Sequence, residues 1–336
     1  MFRDIRHRFI PVTVLAALLL LLAACSETGG AERVEEGGGT EGGTVAQADT
    51  PAATVAMVTH GPQGDTFWDI IRTGAEAAAA KDNITLEYAS DADPSQQANL
   101  IQNAIDRDVD GIAVTMPNAE ALSGPIQQAS EAGIPVTMLN AGFSDWQDSG
   151  ALMYFGQDES VAGQAAGQRL SEEGASTVLC VPQEQGQSQL EARCDGVDQA
   201  FDGEYEKLYV EGTNMPSVQS TISSKLRQDP NISHVLTLGA PFALAAVAAV
   251  EEAGSEAQVV TFDTNGELVQ AIQDGDVAWA IDQQPYVQGY EAIDALWLFL
   301  NNRNIIGGGE AVLTGPAFID ETNIDEVAEL AEQGTR

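Results

Sequence analysis

The strongest constraint on this chain is a rhythm. From Thr54 onward, short apolar and β-branched runs alternate with amphipathic stretches of ten or more residues. Strands are predicted at Thr54–Thr59, Ile84–Ala89, Gly111–Thr115 and Ile134–Leu139, with helices over Thr66–Lys81, Pro94–Arg107 and Ala119–Ala132 between them. The same alternation resumes with strands at Thr177–Val181, Leu208–Val210, Val235–Leu238, Val259–Phe262 and Val277–Ile281. Parallel strands need a crossover connection, normally a helix, and a sheet covered on both faces reads as continuous apolar runs rather than alternating ones. The expected class is therefore α/β, with parallel sheets flanked by helices.

The rhythm breaks in three places. A loop and the short run Ala151–Phe155 intervene between Asn140 and Asp158, Gln283-Gln284-Pro285 follows the last strong strand, and Thr314-Gly315-Pro316 lies near the end. Proline cannot donate to a central ladder and favours a new start. Three breaks are read as three crossings between two discontinuous Rossmann-like lobes joined by a three-strand hinge. The expected boundaries are 53–157 plus 285–313 for the N-terminal lobe and 158–284 plus 314–336 for the C-terminal lobe.

In open α/β sheets, ligands bind beyond the carboxyl ends of the strands. Those positions hold His60 and the run Asp65-Thr66-Phe67-Trp68 after the first strand, then Asn140, then Gln157 and Asp158. A loop leading to Arg193 follows the strand ending at Val181, and Gly239, Asp263, Asp282 and Gln283 follow the later ones. Amide and carboxylate side chains, and the fixed fork of Arg, make paired hydrogen bonds to neighbouring hydroxyls. Aromatic rings cover the C–H face of a sugar ring. This chemistry selects a neutral sugar or polyol. It excludes a phosphorylated ligand, because Arg193 is the only obvious cation and three carboxylates oppose it. Each residue has a plainer role open to it: Phe67 and Trp68 as core, Asp263 as a helix cap, Arg193 as half of a surface ion pair, and His60 as a loop hydrogen-bonder.

The residues at these strand ends resemble those of the periplasmic binding protein type I family, in particular its ribose- and galactose-binding branch. The resemblance rests on Asp65-Thr66-Phe67-Trp68, Asp110-Gly111-Ile112, Ala132-Gly133-Ile134-Pro135-Val136, Glu191-Ala192-Arg193, Thr261-Phe262-Asp263, and Asp282-Gln283-Gln284-Pro285 with Gln288-Gly289-Tyr290. It runs from about Thr54 to the C-terminus. It implies that Asp65, Phe67, Trp68 and Asn140 line one lobe, and that Asp158, Arg193, Asp263 and Gln283 belong to the other lobe and its hinge. Two positions depart from the family pattern: Ala141 stands where Arg is frequent, and Gly239 where Asn is common. His60 and Gln157 are candidate replacements. The implied role is a substrate-binding protein that delivers its ligand to an ABC permease with its ATPase, acting as a monomer. A signalling co-receptor on the same fold is the alternative. Pentose, hexose, inositol and short polyol all remain open as ligands.

Residues 1–24 read as an export signal: Arg3, Arg6 and Arg8 precede an apolar run from Phe9 to Leu22, shorter than the ~20 residues of a membrane span. The ending Leu22-Ala23-Ala24-Cys25 resembles a bacterial lipobox, which implies lipidation of Cys25 and attachment to the outer face of the cell membrane. Residues 25–52 are rich in Gly, Glu, Ala and Thr and read as a flexible tether. With Cys25 lipidated, Cys180 and Cys194 form an even pair in an oxidising compartment, either bridged or as two buried thiols. Catalysis is not expected. Few histidines occur, and no Gly-x-Ser-x-Gly, His-Glu-x-x-His or P-loop pattern is present. No metal or cofactor is expected either.

The chain carries 14 Lys and Arg against 51 Asp and Glu, a formal net charge of −37, which repels phosphate backbones and excludes nucleic acid. Lys81, Lys207 and Lys225 are its only lysines. Adaptation to high salt and compositional drift both account for this surface. A salt series of thermal melts separates them: an adapted fold gains stability as salt screens its self-repulsion, and one indifferent to salt leaves drift as the explanation.

Overall fold

The computed structural model describes residues 47–62 and 65–336. The export signal, Cys25 and most of the expected tether lie outside the described residues. Residues 47–52, read as tether, already pack on the fold: Asn83 Nδ2 donates to the Thr50 carbonyl at 2.7 Å and Trp297 Nε1 to the Thr50 hydroxyl at 3.1 Å.

The first half of the chain runs β1 (Ala53–Thr59), α1 (Thr66–Lys81), β2 (Ile84–Ser90), α2 (Pro94–Asp106), β3 (Gly111–Val114), α3 (Ala119–Glu131), β4 (Val136–Leu139) and β5 (Met153–Gly156). It continues with α4 (Glu159–Glu172), β6 (Thr177–Val181), α5 (Ser188–Ala200), β7 (Glu204–Lys207), α6 (Met215–Gln228), β8 (His234–Thr237), α7 (Ala240–Ala253) and β9 (Gln258–Phe262). Then come α8 (Gly266–Asp274), β10 (Trp279–Asp282), α9 (Pro285–Asn302), β11 (Val312–Leu313), β12 (Ala317–Asp320) and α10 (Ile324–Glu332). The strands form two six-stranded sheets, ordered β11-β5-β4-β3-β1-β2 and β12-β10-β9-β8-β6-β7. All pairings are parallel except β10 with β12. The two-lobed α/β class expected from the alternation is thus the observed fold.

The central strands are buried along their whole length, including β3, β4, β6 and β8, which is why they read as unbroken apolar runs. One strand differs from expectation. β7 is Glu204–Lys207, and Leu208–Val210 lies just beyond it. This is an edge strand with alternating exposed and half-buried residues, so its own signal is charged. Leu208 and Val210 give the stronger apolar signal because they pack from outside the ladder onto the core under α6 and α7. The closing strands β11 and β12 are too short or too weakly apolar to mark the sequence.

Local chemistry fixes the helix starts. Asp65, Asp93, Asn118, Asp158, Asn214 and Asn265 each accept a backbone N–H at the first turn of α1, α2, α3, α4, α6 and α8. Cys180, within β6, is joined to Cys194 of α5 by a disulfide with Cα atoms 6.0 Å apart. The methionines Met57, Met116, Met138 and Met153 are core.

Each lobe contains a helix pair packed backbone to backbone. A Cβ added to Gly289 of α9 would drive into the Ile71 carbonyl of α1, and one on Gly74 of α1 into the Tyr286 carbonyl of α9. In the other lobe, Gly163 of α4 and Gly196 of α5 face each other's backbones in the same manner. Neither obstacle is a flexible side-chain end, so the helices must separate to admit a methyl group. Gly289→Ala is expected to destabilise the protein by about 1–3 kcal/mol, as overpacking does. A denaturant midpoint unchanged from wild type would show that the contact is looser than described.

Candidate functional site

The chain passes between the sheets after β5, after β10 and after β11. Hydrogen bonds tie these crossings together. Thr314 N donates to the Gly156 carbonyl at 2.7 Å, Gln284 Nε2 to the Thr314 carbonyl at 2.7 Å, and Gln288 Nε2 to the Thr314 hydroxyl at 3.1 Å. Above this hinge the carboxyl ends of both sheets open on one cleft of about 600 Å³, part of it continuous with solvent.

The residues at the turns into this cleft adopt a backbone that most L-residues avoid. Asn140, after β4, has φ 62°; Asp263, after β9, has φ 66°; Gln284, at the second crossing, has φ 57°. Such outliers cluster where the surroundings impose a geometry, and Asn and Asp tolerate this region best. β4 and β9 occupy matching places in their sheets, so Asn140 and Asp263 are equivalent positions facing each other across the hinge. Gln283 joins them: Asn140 Nδ2 donates to its Oε1 at 3.1 Å, and its Nε2 donates to Asp263 Oδ1 at 2.7 Å.

Of the residues singled out from sequence, His60, Asp65, Phe67, Trp68, Asn140, Arg193, Gly239, Asp263 and Gln283 all line this one cleft. Asp158 and Gln157 do not. The Asp158 carboxylate accepts from Ser160 N and Val161 N at 3.0 and 3.1 Å as the cap of α4, and the residue borders a smaller adjoining cavity. Gln157 is buried below the cleft, where its Nε2 donates to Glu159 at 2.7 Å. The capping role open to Asp263 belongs to Asn265, which accepts from Leu268 N at 2.8 Å.

Arg193 is 2% exposed and forms a buried ion pair rather than a surface one. Its Nε and Nη2 donate to the two carboxylate oxygens of Glu159 at 2.6 and 3.1 Å, and Nη1 donates to the Leu238 carbonyl at 3.3 Å. Asp263 Oδ2 lies 3.8 Å from Nη1, and the guanidinium stacks on the Phe262 ring at 4.6 Å. Burial nevertheless dominates at Asp263 and pushes its carboxyl up to about 7.

His60 is likewise buried, and its ring nitrogens contact Thr115 Oγ1 at 2.8 Å and Gln189 Nε2 at 3.1 Å. Desolvation lowers it to about 3, so the imidazole is neutral. The Gln189 contact spans the two lobes, as do Ser188 Oγ to the Pro117 carbonyl at 3.2 Å and Asn265 Nδ2 to Thr66 Oγ1 at 3.3 Å. The lobes are therefore closed on each other.

Sequence reasoning missed Glu159, Gln183, Glu184, Gln189, Thr264 and Phe242, the first as the partner of Arg193 and the rest as cleft lining. The amide-rich run Gln183-Glu184-Gln185-Gly186-Gln187 after β6 was a usable signal, since it follows a strand in the place where His60 follows β1. Gln189 Oε1 and Thr264 Oγ1, on residues 6% and 2% exposed, have no hydrogen-bond partner. Buried polar atoms are normally paired, so both leave hydrogen-bonding capacity unused at the cleft. Aromatic rings bound the cleft from both lobes: Trp68 edge-to-face with His60 and Phe67 at 4.6 and 5.3 Å, and Phe242 opposite. Among the described residues, no group of three His, Cys, Asp or Glu is placed to hold a metal.

Comparison with known proteins agrees with this fold. Residues 55–304 match the periplasmic binding protein domain. A carbohydrate transporter from Acidothermus cellulolyticus, solved in complex with myo-inositol, is 59% identical with a TM-score of 0.84, covering 85% of this chain and all of that one. A periplasmic sugar-binding protein of an ABC transporter from Legionella pneumophila is 26% identical with a TM-score of 0.72, covering 78% of this chain and 99% of that one. The xylose/arabinose-binding protein XylF of Sulfolobus acidocaldarius is 28% identical over 251 residues, which is 69% of this chain and spans 62% of XylF. The chain belongs to the periplasmic binding protein family, an extracytoplasmic family of sugar-binding transporter proteins and not of enzymes.

Proposed function

We propose that this protein is the substrate-binding lipoprotein of an ABC transporter, capturing a neutral sugar or polyol between its lobes and presenting it to a permease. The observation that carries this reading is the cleft itself: unpartnered buried hydrogen-bonding atoms at its floor and aromatic rings on its walls. A ring bearing hydroxyls satisfies the first with its edges and the second with its C–H faces. The 59% identical relative solved with myo-inositol puts cyclitols first among candidates. Ligand in the cleft would favour the closed arrangement, which a permease would recognise. We further propose lipidation at Cys25, lobes of 53–157 plus 285–313 and 158–284 plus 314–336, a monomeric state, and ligand contacts from Asp65, Phe67, Trp68, Asn140, Asp263 and Gln283. Arg193 acts at one remove, by holding Asp263 and Glu159 in place.

A thermal-shift screen against cyclitols, hexoses, pentoses and linear polyols tests this reading. Saturating ligand is expected to stabilise the protein by about 2.7 kcal/mol at a hundredfold excess over Kd. Failure of every compound to shift the melt overturns it. With the ligand identified, Phe67→Ala and Trp68→Ala are each expected to weaken binding by roughly 1–3 kcal/mol in calorimetric titration. Unchanged affinity in both would remove the aromatic wall from the site.

The cleft also sets a pH dependence. Asp263 is raised to about 7 in the fold from 3.8, so the folded state holds a proton that the unfolded chain has already released. Its contribution to stability is complete below about pH 4 and is lost as pH rises through about 7. Asp263→Asn is expected to flatten the decline in melting temperature of the unliganded protein over that range. An identical pH profile in the variant would show that the carboxyl ionises normally.

A further inference from the structure

The charges around the cleft do not balance. Among the described residues lining it, Arg193 is the one cation, and both its Nε and its Nη2 are committed to Glu159. His60 is neutral. Asp263 has Gln283 and a distant share of Arg193. Asp65, from the start of α1, and Glu184, from the loop after β6, have neither. Asp65 uses Oδ1 to cap its own helix at 3.0 Å, and no cation among the described residues lies within ion-pairing distance of Glu184. These two carboxyl groups come from opposite lobes, so closing the cleft brings like charges toward each other. Their repulsion, added to burial, pushes Glu184 up to about 7.

Of the three unpartnered atoms in the cleft, the Thr264 hydroxyl can donate or accept, and the other two can only accept. Gln189 Oε1 and Gln183 Oε1 are acceptors only, and the carboxyl groups of Asp65 and Glu184 become so when an approaching cation draws off their protons. A ligand hydroxyl brings one donor together with lone pairs that need donors in return. An ammonium group brings three donors, no acceptor, and the positive charge that the cleft lacks. We propose that the Asp65–Glu184 end of the cleft is a subsite for a protonated amine, so that the protein takes amino-substituted cyclitols or sugars in preference to their all-hydroxyl parents. The proposal rests on reading the cleft as a polyol site and narrows the class of polyol. The ammonium would bridge the lobes where two carboxylates otherwise oppose closure, and the rest of the ring would keep the contacts to Asn140, Asp263 and the aromatic walls.

Calorimetric titration at pH 7 of the purified protein with matched pairs tests the proposal: myo-inositol against monoamino cyclitols, and glucose and galactose against their amino derivatives. For at least one position of the amine, affinity is expected to exceed that of the hydroxyl parent by tenfold or more. Glu184→Gln is expected to bring that ratio down to about one, and Asp65→Asn to lower it in the same direction. Parents that bind while every amine binds more weakly would overturn this inference and leave the polyol reading standing. An amine preference that survives Glu184→Gln would overturn the assignment of the subsite. If no compound of either kind binds, both readings fall together.

Discussion

The cleft is organised by a buried cation. Arg193 lies beneath the meeting point of β8, β9 and the first crossing, and removing its guanidinium from water would cost several kcal/mol without a partner. Glu159 offsets that cost with two charge-assisted hydrogen bonds, and the Leu238 carbonyl and the Phe262 face occupy the remaining directions. Glu159 opens α4 immediately after the first crossing, while Arg193 is on α5, which the disulfide ties to β6. The pair therefore sets the floor of the site and the place where the chain enters its second lobe. It also explains the depressed acidity of Asp263: a guanidinium shared with Glu159 and 3.8 Å away is too weak a partner to counter burial.

Much of this was legible in the sequence for a physical reason. A parallel strand buried on both faces must be apolar throughout, and the helix after it must be amphipathic, so the alternation survives in the letters. The strand-end rule then brought nine of the candidate residues to one cleft, because side chains there lie outside the sheet and are free to be polar. What failed had no such signature. β7 is an edge strand in which three of four residues are charged, and its apolar neighbours Leu208 and Val210 drew the assignment away. Asp158 sits at a strand end and caps its helix as Asp65 does, yet it borders the smaller adjoining cavity and not the main cleft. The partner of Arg193 was invisible because Glu159, 34 residues earlier, reads as an ordinary first-turn helix acid.

The two lobes solve the same problem twice. Each pairs helices through opposed glycines, Gly74 with Gly289 and Gly163 with Gly196, and each ends its fourth or corresponding strand in a left-handed Asn or Asp. The lobes part company in the loop and first helical turn after their first strands. One carries neutral His60, Asp65 and an aromatic pair, and the other carries Gln183, Glu184 and Gln189. A repeated scaffold thus supplies a rigid frame, and the unlike segments give the cleft two chemically different sides.

A crystal structure of the protein grown with saturating myo-inositol tests the central claim most directly. The account predicts the ring lying between Phe67 or Trp68 and Phe242, with hydroxyls on Asp263, Asn140 and Gln189. A ligand bound elsewhere on the surface, or a cleft that admits none while another compound stabilises the protein from a distant site, would contradict it.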